Sequence, residues 1–335
     1  MNIAVIGFGF MGMTHAMSIL NNPGLRLTAI VDKNPGNIRK NLDEQIGNFS
    51  TGSMDADELS STGIYSDLAT CLKNEKIDAC VIAVHTDLHY EITRMALNAG
   101  LHAFLEKPFC IDVSEGERLI ALAREKNLLL MIGHVVRFMP AYIKLKNWID
   151  TQEFGELKFL SLSRFTGIPG WGQWKDKQQD FGATGGALFD LVVHDIDYAS
   201  WVCGDPDSII AQCLPGKLSN HDYVSALWKY NDNGLHVKIE GGNIFHTTFP
   251  FQASVAARFE HASILYSSKD PENIILTTDT ETTLIPAGDA NEGFQAEIDY
   301  FAYCLAKNKP PEKCTPESAL QSIQICHQHI KKSIQ

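Results

Sequence analysis

Two side chains that could move a proton lie four residues apart in a predicted helix. The pattern is Gly185-Gly186-x-x-x-Asp190-x-x-x-His194. Residues at this spacing share a helix face, so the carboxylate can fix the tautomer of the imidazole and raise its basicity. Such a pair suits a general base near neutral pH. The same spacing is also common for a polar pair on a helix surface, and spacing alone leaves both interpretations open.

A glycine pattern near the start of the chain predicts a nucleotide site. Gly7-x-Gly9-x-x-Gly12 follows an apolar run, and Asp32 closes the next such run, roughly 20 residues after the last glycine. In a dinucleotide-binding βαβ unit the three glycines allow a tight turn, approach of the pyrophosphate and close helix packing, while the acid binds the ribose. The alternative is a glycine-rich turn in another α/β protein. The predicted cofactor loop comprises Gly7, Phe8, Gly9, Phe10, Met11 and Gly12.

A third pattern, Glu106-Lys107-Pro108, comes at the carboxyl end of a predicted parallel strand. Ligands bind at that edge of such sheets, so the Lys107 ammonium could reach a substrate oxygen. A surface pair before a turn would look the same. The segment Gly133-His134-x-x-Arg137-Phe138-x-Pro140 follows the last predicted parallel strand.

Several further residues have two possible roles. Trp171 and Trp174 could stack on a sugar ring or cover the site, or they could be packing anchors or an oligomer contact. Arg164 could bind a polar substrate or form a structural salt bridge. His327 and His329 are predicted to lie on a solvated helix face. His85 and His89 have helical spacing for a metal but no evident third ligand, so we predict no metal site.

The elements that carry these residues fall into two patterns. Strands alternate with helices up to about Gly133, which predicts a doubly wound parallel sheet. Repeated short apolar runs from Ser208 to Leu284 then predict a largely antiparallel sheet. We therefore predict an α/β protein with a dinucleotide-binding domain over residues 1–133 and a second domain over 134–335. The predicted elements also include a helix over 34–46.

Composition excludes some classes of protein. The 335 residues carry a formal net charge of −12 without a Lys/Arg block, so the footprint of a nucleic-acid binder is missing. No stretch is apolar enough to span a membrane, and no signal peptide is evident. The eight cysteines include no C-x-x-C pair. They are typical of buried thiols in a reducing compartment, which predicts a cytoplasmic protein.

Taken together, these motifs resemble the Gfo/Idh/MocA oxidoreductases, the group that contains glucose-fructose oxidoreductase and inositol 2-dehydrogenase. G-F-G-F-M-G, E-K-P, the R-F-x-P segment and G-G-A-L-F-D-L-V-V-H-D-I-D stand in the order and spacing of that family. The resemblance implies a Rossmann domain followed by an α/β domain with a large open antiparallel sheet. It also implies oxidation or reduction of a secondary alcohol on a sugar, inositol or related polyol with NAD(H) or NADP(H).

The resemblance assigns roles to individual residues. Lys107 matches a lysine that contacts substrate and assists proton transfer. The resemblance also implies a cis Lys107–Pro108 bond. His194 would take the hydroxyl proton while hydride leaves the same carbon for the nicotinamide, and Asp190 would orient His194 and share substrate hydroxyls. On the cofactor side, Glu106 matches a residue near the nicotinamide ribose. The remaining predicted cofactor contacts are Asp32, Lys33, His85, His89 and Lys107.

The chain departs from the family pattern at several positions. Val84-His85 stand where Thr-Pro is common, and Thr184 replaces a usual glycine. Val192 replaces a frequent glycine between Asp190 and His194, and we expect it to narrow the space beside the substrate. These changes leave the proton-transfer residues in place.

We therefore predict an NAD-dependent dehydrogenase for a sugar or cyclitol alcohol. Asp32 favours NAD, because its charge would repel the 2′-phosphate of NADP; Lys33 weakens that preference slightly. An NAD-dependent glycosidase and a non-catalytic sugar or NAD sensor on the same fold are the alternatives. The predicted open sheet also suggests a homodimer or homotetramer, since its second face needs cover.

Overall fold

The chain forms two compact units. A computed structural model describes residues 1–36, 38, 60–169, 184–232 and 234–333. The first unit combines Met1–His134 with Phe294–Leu320, and the second combines Val135–Gly293 with Gln321–Gln335. The main division therefore lies one residue from the predicted boundary at 133/134. The segment Phe294–Leu320 groups with the first unit, whereas the predicted second domain spans all of 134–335.

An apolar stripe explains why that segment packs with the first unit. Phe294, Ile298 and Phe301 recur at helical spacing and are buried, as expected for a helix face that packs on a core. The Phe301 ring meets that of Phe104 edge to face at 5.8 Å between centroids. This stripe belongs to helix α7, Glu292–Lys307.

The first unit contains a parallel sheet, as predicted. Its six strands run in the order β3-β2-β1-β4-β5-β6, and every neighbouring pair is parallel. The strand order reverses between β1 and β4, and ligands bind outside the carboxyl ends of strands at such a switch point. The strands are β1 Asn2–Ile6, β2 Arg26–Val31, β3 Gly63–Tyr65, β4 Ala79–Ile82, β5 His102–Glu106 and β6 Leu130–Gly133.

Helices alternate with these strands along the chain. They are α1 Phe10–Leu20, α2 Leu68–Asn74, α3 His89–Asn98 and α4 Val113–Glu125, with α7 added from the end of the chain. The short edge strand β3 was not predicted, because Ile64 is its only aliphatic side chain and is 40% exposed. The helix predicted over 34–46 lies largely outside the described residues. None of the helices in the described part of the chain is both long and apolar enough to cross a bilayer.

The second unit contains an eight-stranded sheet in the order β14-β13-β12-β11-β7-β10-β9-β8. Strands β7 and β10 pair in parallel, and the other neighbours are antiparallel. The prediction of a largely antiparallel sheet is therefore confirmed. The strands are β7 Leu157–Gly167, β8 Ser208–Leu214, β9 Tyr223–Lys229, β10 His236–Phe245, β11 Gln252–Phe259, β12 Ser263–Ser267, β13 Asp270–Thr277 and β14 Thr282–Pro286.

One face of this sheet is buried and the other is open. Alternate residues such as Leu162, Ile239 and Val255 are buried, and helix α6, Val193–Cys203, packs against β7 and β10. On the opposite face Leu265 is 45% exposed. The other helices of this unit are α5 Pro140–Thr151 and α8 Pro316–Lys331, which continues from the first unit.

His329 contradicts the prediction of a solvated helix face. It is 0% exposed, and its Nε2 accepts a hydrogen bond from the Trp228 indole N–H at 3.0 Å. Its Nδ1 lies 2.8 Å from the Ile325 carbonyl oxygen. Burial, opposed by that carbonyl, lowers the pKa of His329 to about 4. The ring is therefore a neutral hydrogen-bonding link in the core at neutral pH.

A buried ion pair fixes α6 within the second unit. Arg137 donates to both carboxylate oxygens of Asp197, at 2.8 and 2.7 Å, and both side chains are at most 2% exposed. The Ser322 hydroxyl donates to the same carboxylate at 2.9 Å. Because each charge is compensated and hydrogen-bonded, removal of one partner would leave the other as an unpaired charge in a low-dielectric interior.

Replacing Asp197 by Ala should therefore be strongly destabilising. We expect a loss of about 3–5 kcal/mol in the free energy of unfolding, because the Arg137 charge is left unpaired. The double variant Arg137→Met/Asp197→Ala should recover much of that loss. Urea unfolding would measure both, with Glu91→Ala as a control, since Glu91 forms an exposed pair with Arg94 and should cost under about 1 kcal/mol. Equal losses for Asp197→Ala and Glu91→Ala would contradict the prediction.

Candidate active site

The glycine loop of the first unit has the backbone geometry that only glycine allows. Gly7 has φ +87°, and a Cβ there would lie 2.5 Å from the Ala83 carbonyl oxygen. A Cβ at Gly12 would lie 2.0 Å from the carbonyl oxygen of Gly7. Both contacts are too close for any side chain, so these glycines are needed for the tight turn and for packing α1 on it.

The loop leaves room where a pyrophosphate would lie. Gly9 is exposed, and a Cβ there would meet no atom within 4 Å. Gly9 is also the N-cap of α1, with no side-chain hydrogen bond to the first helical N–H groups. A helix N-terminus of this kind binds anions. The residues present thus fit a dinucleotide, with half-buried Phe10 and Met11 forming the first turn of α1.

Asp32 joins the ends of two strands. Its Oδ2 accepts the Phe8 backbone N–H at 2.8 Å, and its Oδ1 accepts the Asn34 N–H at 2.8 Å. A carboxylate has about four acceptor positions, so capacity remains for ribose hydroxyls. Asp32 therefore also shapes the loop that it was predicted to assist. The Phe8 side chain is fully buried, and Lys33 next to Asp32 is exposed.

The Glu106-Lys107-Pro108 segment follows directly from β5. The Lys107–Pro108 peptide bond is cis, as predicted, and Lys107 is partly exposed. Glu106 is only 6% exposed. Its Oε2 accepts the Lys107 backbone N–H at 3.1 Å, and its Oε1 lies 2.6 Å from His15 Nε2. Glu106 is thus oriented inward, toward α1, rather than out into solvent.

His89 connects two loops at the same edge of the sheet. Its Nδ1 lies 2.7 Å from the Pro108 carbonyl oxygen and its Nε2 lies 3.1 Å from that of Val84. The ring is 1% exposed, and burial lowers its pKa despite those carbonyls. His89 therefore holds the loops after β4 and β5 together. His85, by contrast, is exposed at the N-cap of a 3-10 turn over Thr86–Leu88.

In the second unit, two glycines initiate the element that carries Asp190. Gly185 and Gly186 have φ of +85° and +72°, in the left-handed region that favours glycine. A Cβ on Gly186 would lie 2.1 Å from the Ser219 hydroxyl oxygen. The chain then forms a π-helical turn, Leu188–Val192, which runs into α6. Such turns occur frequently at functional sites.

Asp190 and His194 lie on the less buried side of this element. Both are partly exposed, whereas Phe189 and Val193 are buried. Asp190 is at the centre of the π turn and His194 is in the first turn of α6. This arrangement gives an acid and an imidazole access to solvent from one element, which is what a proton-transfer pair requires.

The next two acids of α6 face the core. Asp195 accepts two hydrogen bonds from Arg164, at 2.9 and 3.0 Å, and Asp197 is held by Arg137. Arg164 is 5% exposed, and its second terminal nitrogen also approaches the Tyr142 hydroxyl at 3.5 Å. Of the two roles left open for Arg164, the structure contains the salt bridge.

Val192 does not occupy the position that the sequence suggested. Its side chain is 0% exposed, and its Cγ2 would lie 3.0 Å from a Cβ placed on Gly241 of β10. Val192 therefore packs into space that a glycine leaves on the sheet. The expectation that it narrows the space beside a substrate is wrong, because the side chain points into the core.

His15 and Glu297, which lie beside Glu106, were not predicted as site residues. Their ligand-type atoms and that of Glu106 are all within 4.8 Å of one another. Glu297 falls within the apolar stripe of α7, between Phe294 and Ile298, and that placement was the available signal for a buried acid. Trp171, a predicted substrate contact, and Trp174, whose role was left open, lie outside the described residues.

Comparisons with known proteins agree with this architecture. The sequence model described as "Oxidoreductase family, NAD-binding Rossmann fold" matches residues 1–134, and the "GFO/IDH/MocA C-terminal domain" matches residues 142–260. The chain is 24% identical over 328 residues to scyllo-inositol 2-dehydrogenase (NAD(+)) of Bacillus subtilis, covering 92% of this chain and 87% of that one. It is 29% identical over 170 residues to UDP-N-acetylglucosamine 3-dehydrogenase of Acidithiobacillus ferrooxidans, half of either chain.

Solved structures share the fold over nearly the whole chain. Levoglucosan dehydrogenase, in complex with NADH and levoglucosan, superposes with a TM-score of 0.83 at 18% identity, covering 99% of this chain and 97% of that one. The two family models together span most of the sequence. The chain therefore belongs to the Gfo/Idh/MocA family of oxidoreductases, with an NAD-binding Rossmann fold at its N-terminus.

Proposed function

We propose that the protein is an NAD-dependent dehydrogenase acting on a secondary alcohol of a sugar, an inositol or a related polyol. The observation that carries the proposal is the partly exposed pair Asp190 and His194 at the π turn, in a chain whose other unit is an NAD-binding fold. Relatives named for scyllo-inositol and UDP-N-acetylglucosamine support the substrate class.

Three side chains would perform the proton chemistry. His194 accepts the proton of the substrate hydroxyl as general base, and Asp190 orients the imidazole and binds neighbouring hydroxyls. Lys107 places a positive charge beside the oxygen, which favours loss of that proton. When bound, NAD supplies the acceptor for the hydride. In the reverse direction His194 returns the proton as general acid.

A substrate panel tests the proposal. Inositols, hexoses, pentoses and sugar phosphates would each be incubated with NAD, and NADH absorbance would be followed. A dehydrogenase accumulates NADH with at least one of them. A glycosidase that uses NAD transiently would release a sugar without accumulating NADH, and a sensor would bind without turnover, so either result would contradict the proposal.

We expect NAD to bind more tightly than NADP because of Asp32. Replacing Asp32 by Ser should weaken NAD by roughly 1–3 kcal/mol, through lost ribose hydrogen bonds, and should improve NADP by removing a repulsive charge. Titration calorimetry with both nucleotides measures the two effects.

Because Asp32 also accepts the Phe8 and Asn34 N–H groups, loop damage must be separated from lost recognition. Damage to the loop would weaken both nucleotides alike, whereas lost recognition reverses their order. Tighter binding of NADP than NAD by the unmodified protein would refute the expectation.

Replacing His194 by Ala should lower turnover by about 10²–10⁴-fold, since it removes the general base. NAD affinity should stay nearly unchanged, because His194 belongs to the second unit. Steady-state kinetics on the substrate found by the panel measures the first effect, and nucleotide titration measures the second.

The matched control is His236→Ala, an exposed histidine of the same unit. The turnover of Asp190→Asn should lie between those of His236→Ala and His194→Ala. Combining Asp190→Asn with His194→Ala should lower turnover little further, because both residues act on one proton transfer. Near-normal turnover by His194→Ala would rule out its role.

We further propose that the protein is a homodimer or homotetramer that covers the open face of the eight-stranded sheet. The strand register places one row across this face, and the row is mostly apolar. It consists of Ile210, Leu227, Lys238, Ser161, Ala256, Leu265, Ile275 and Leu284. Exposed apolar surface of this kind marks an association site.

Leu265→Glu should weaken the oligomer, because it places a charge near the centre of that row. Light scattering at micromolar concentration would show a multiple of 37.1 kDa for the unmodified protein and a lower mass for the variant. Leu88→Glu, at an exposed leucine of the first unit, is the control and should not change the mass. A monomeric unmodified protein would refute the proposal.

We also propose a cytoplasmic location. All eight cysteines are free thiols, and six of them are buried, which suits a reducing compartment. Burial raises the pKa of Cys80 to about 12, so this thiol is protonated and unreactive at neutral pH.

A further inference from the structure

Two carboxylates and one imidazole come together inside the first unit. His15 lies on α1, Glu106 ends β5 and Glu297 lies on α7. Their exposed fractions are 0%, 6% and 0%, and one nitrogen or oxygen atom of each lies within 4.8 Å of those of the other two. We call these three residues the buried acid cluster. None of them has a role in the proton transfer proposed above.

Glu106 has the contacts of an ionised carboxylate. Its Oε1 is 2.6 Å from His15 Nε2, and its Oε2 accepts the Lys107 N–H. Burial acts to raise the pKa of Glu106, but the hydrogen bond and charge of His15, together with the Lys107 ammonium, hold that pKa below its usual value. Both of its oxygens therefore accept hydrogen bonds that favour the negative charge.

Glu297 is in the opposite situation. Neither carboxylate oxygen has a hydrogen-bond partner among the described residues, and the side chain is fully buried. Burial, reinforced by the negative charge of Glu106, raises the pKa of Glu297 well above its usual value. Two carboxylates this close in an apolar interior cannot both be ionised at low cost, so one of them holds a proton. The contacts of Glu106 leave Glu297 as the holder.

A proton accounts for the geometry better than a metal ion does. Two ligands of one tetrahedral zinc ion, each at about 2.0–2.2 Å from it, would lie roughly 3.3 Å apart. His15 Nε2 and Glu106 Oε1 are instead 2.6 Å apart, the separation of a charge-assisted hydrogen bond. These two atoms already satisfy each other, so Glu297 would be left to compensate a cation alone.

We propose that Glu297 is a positioning residue that stays protonated at neutral pH and thereby keeps the Glu106 carboxylate on His15 and on the Lys107 backbone. An ionised Glu297 would repel the Glu106 carboxylate and so move it away from the Lys107 N–H. The titratable groups around Glu106 are His15 of α1, Lys107 after β5, Glu297 of α7 and His89 of α3, whose lowered pKa leaves it uncharged at neutral pH. The inference rests on the proposed function in assigning Lys107 to substrate and Glu106 to the nicotinamide side of the NAD site.

The test compares Glu297→Gln with Glu292→Gln. Glutamine has the shape of a protonated glutamic acid but cannot ionise, and Glu292 is an exposed acid on the same helix. Infrared spectroscopy at neutral pH should show the carbonyl band of a protonated carboxyl group in the unmodified protein. The band should be lost in Glu297→Gln and kept in Glu292→Gln.

The pH dependence of unfolding gives an independent readout. A carboxyl whose pKa is higher in the folded protein than in the unfolded chain contributes stability at low pH, and that stability is lost as the pH rises above 4.5 toward the folded pKa. As the pH rises above about 5, Glu297→Gln should therefore gain stability relative to the unmodified protein. Glu292→Gln should stay parallel to it.

Positioning itself is measured by NAD affinity, which needs no substrate. As the pH rises and Glu297 ionises, the affinity of the unmodified protein for NAD should fall about tenfold, as expected for one disturbed charged hydrogen bond. The affinity of Glu297→Gln should not show this fall, because glutamine acquires no charge that repels Glu106. A missing carboxyl band, parallel pH profiles for all three proteins, or the same pH dependence of NAD affinity in Glu297→Gln and the unmodified protein would each overturn the proposal. So would a stoichiometric metal ion that is lost in Glu297→Gln. Each of these results would leave the proposed dehydrogenase activity untouched.

Discussion

Helix α6 is oriented by two aspartates that cannot leave the core. Asp195 and Asp197 each accept two hydrogen bonds from a buried arginine, Arg164 and Arg137. A rotation of the helix by one residue would break four charged hydrogen bonds. Both aspartates would then be buried charges without their arginine partners. With the helix held in this way, Asp190 and His194 remain partly exposed. Buried ion pairs add little net stability, so we interpret their main effect as this fixed orientation.

The first unit uses carboxylates in a related way. Asp32 follows β2 and Glu106 ends β5, and each accepts a backbone N–H from a loop at the carboxyl edge of the sheet. A hydrogen bond from a backbone N–H to an ionised carboxylate is stronger than one between neutral groups. Asp32, after β2, therefore holds the glycine loop that follows the neighbouring strand β1. Glu106, at the end of β5, holds the Lys107 segment that follows it. Substitution of either acid changes loop geometry as well as local charge.

The sequence predicted the parts that depend on local chemistry. Gly7 and Gly12 could be assigned because no other residue tolerates a carbonyl oxygen at 2.5 or 2.0 Å from Cβ, and strand-helix alternation predicted the parallel sheet. It did not predict which polar groups are buried. His329 was placed in solvent, although it accepts a hydrogen bond from Trp228, because periodicity cannot reveal a partner about 100 residues away.

The same limit explains Val192 and Glu297. Val192 sits between two proposed catalytic residues in the sequence, yet it packs against Gly241, a position on β10 that no local pattern connects to it. Glu297 lies in an apolar stripe that predicts burial, but its neighbours Glu106 and His15 come from distant elements. A polar residue in an apolar pattern can be buried when a distant element supplies its partner, and a local pattern does not identify that partner.

Fixing the helix through its buried side has a consequence for substrate choice. The charges that orient α6 are buried, whereas the proposed acid and base are partly exposed, so residues around Asp190 and His194 can change without breaking the ion pairs. Two solved structures with this fold, at 18% and 21% identity, carry names as different as levoglucosan dehydrogenase and UDP-N-acetylglucosamine 3-dehydrogenase. Removing the proton of an alcohol requires a base whatever ring carries the hydroxyl, so in this chain the buried ion pairs leave the choice of substrate to the residues around the proposed acid and base.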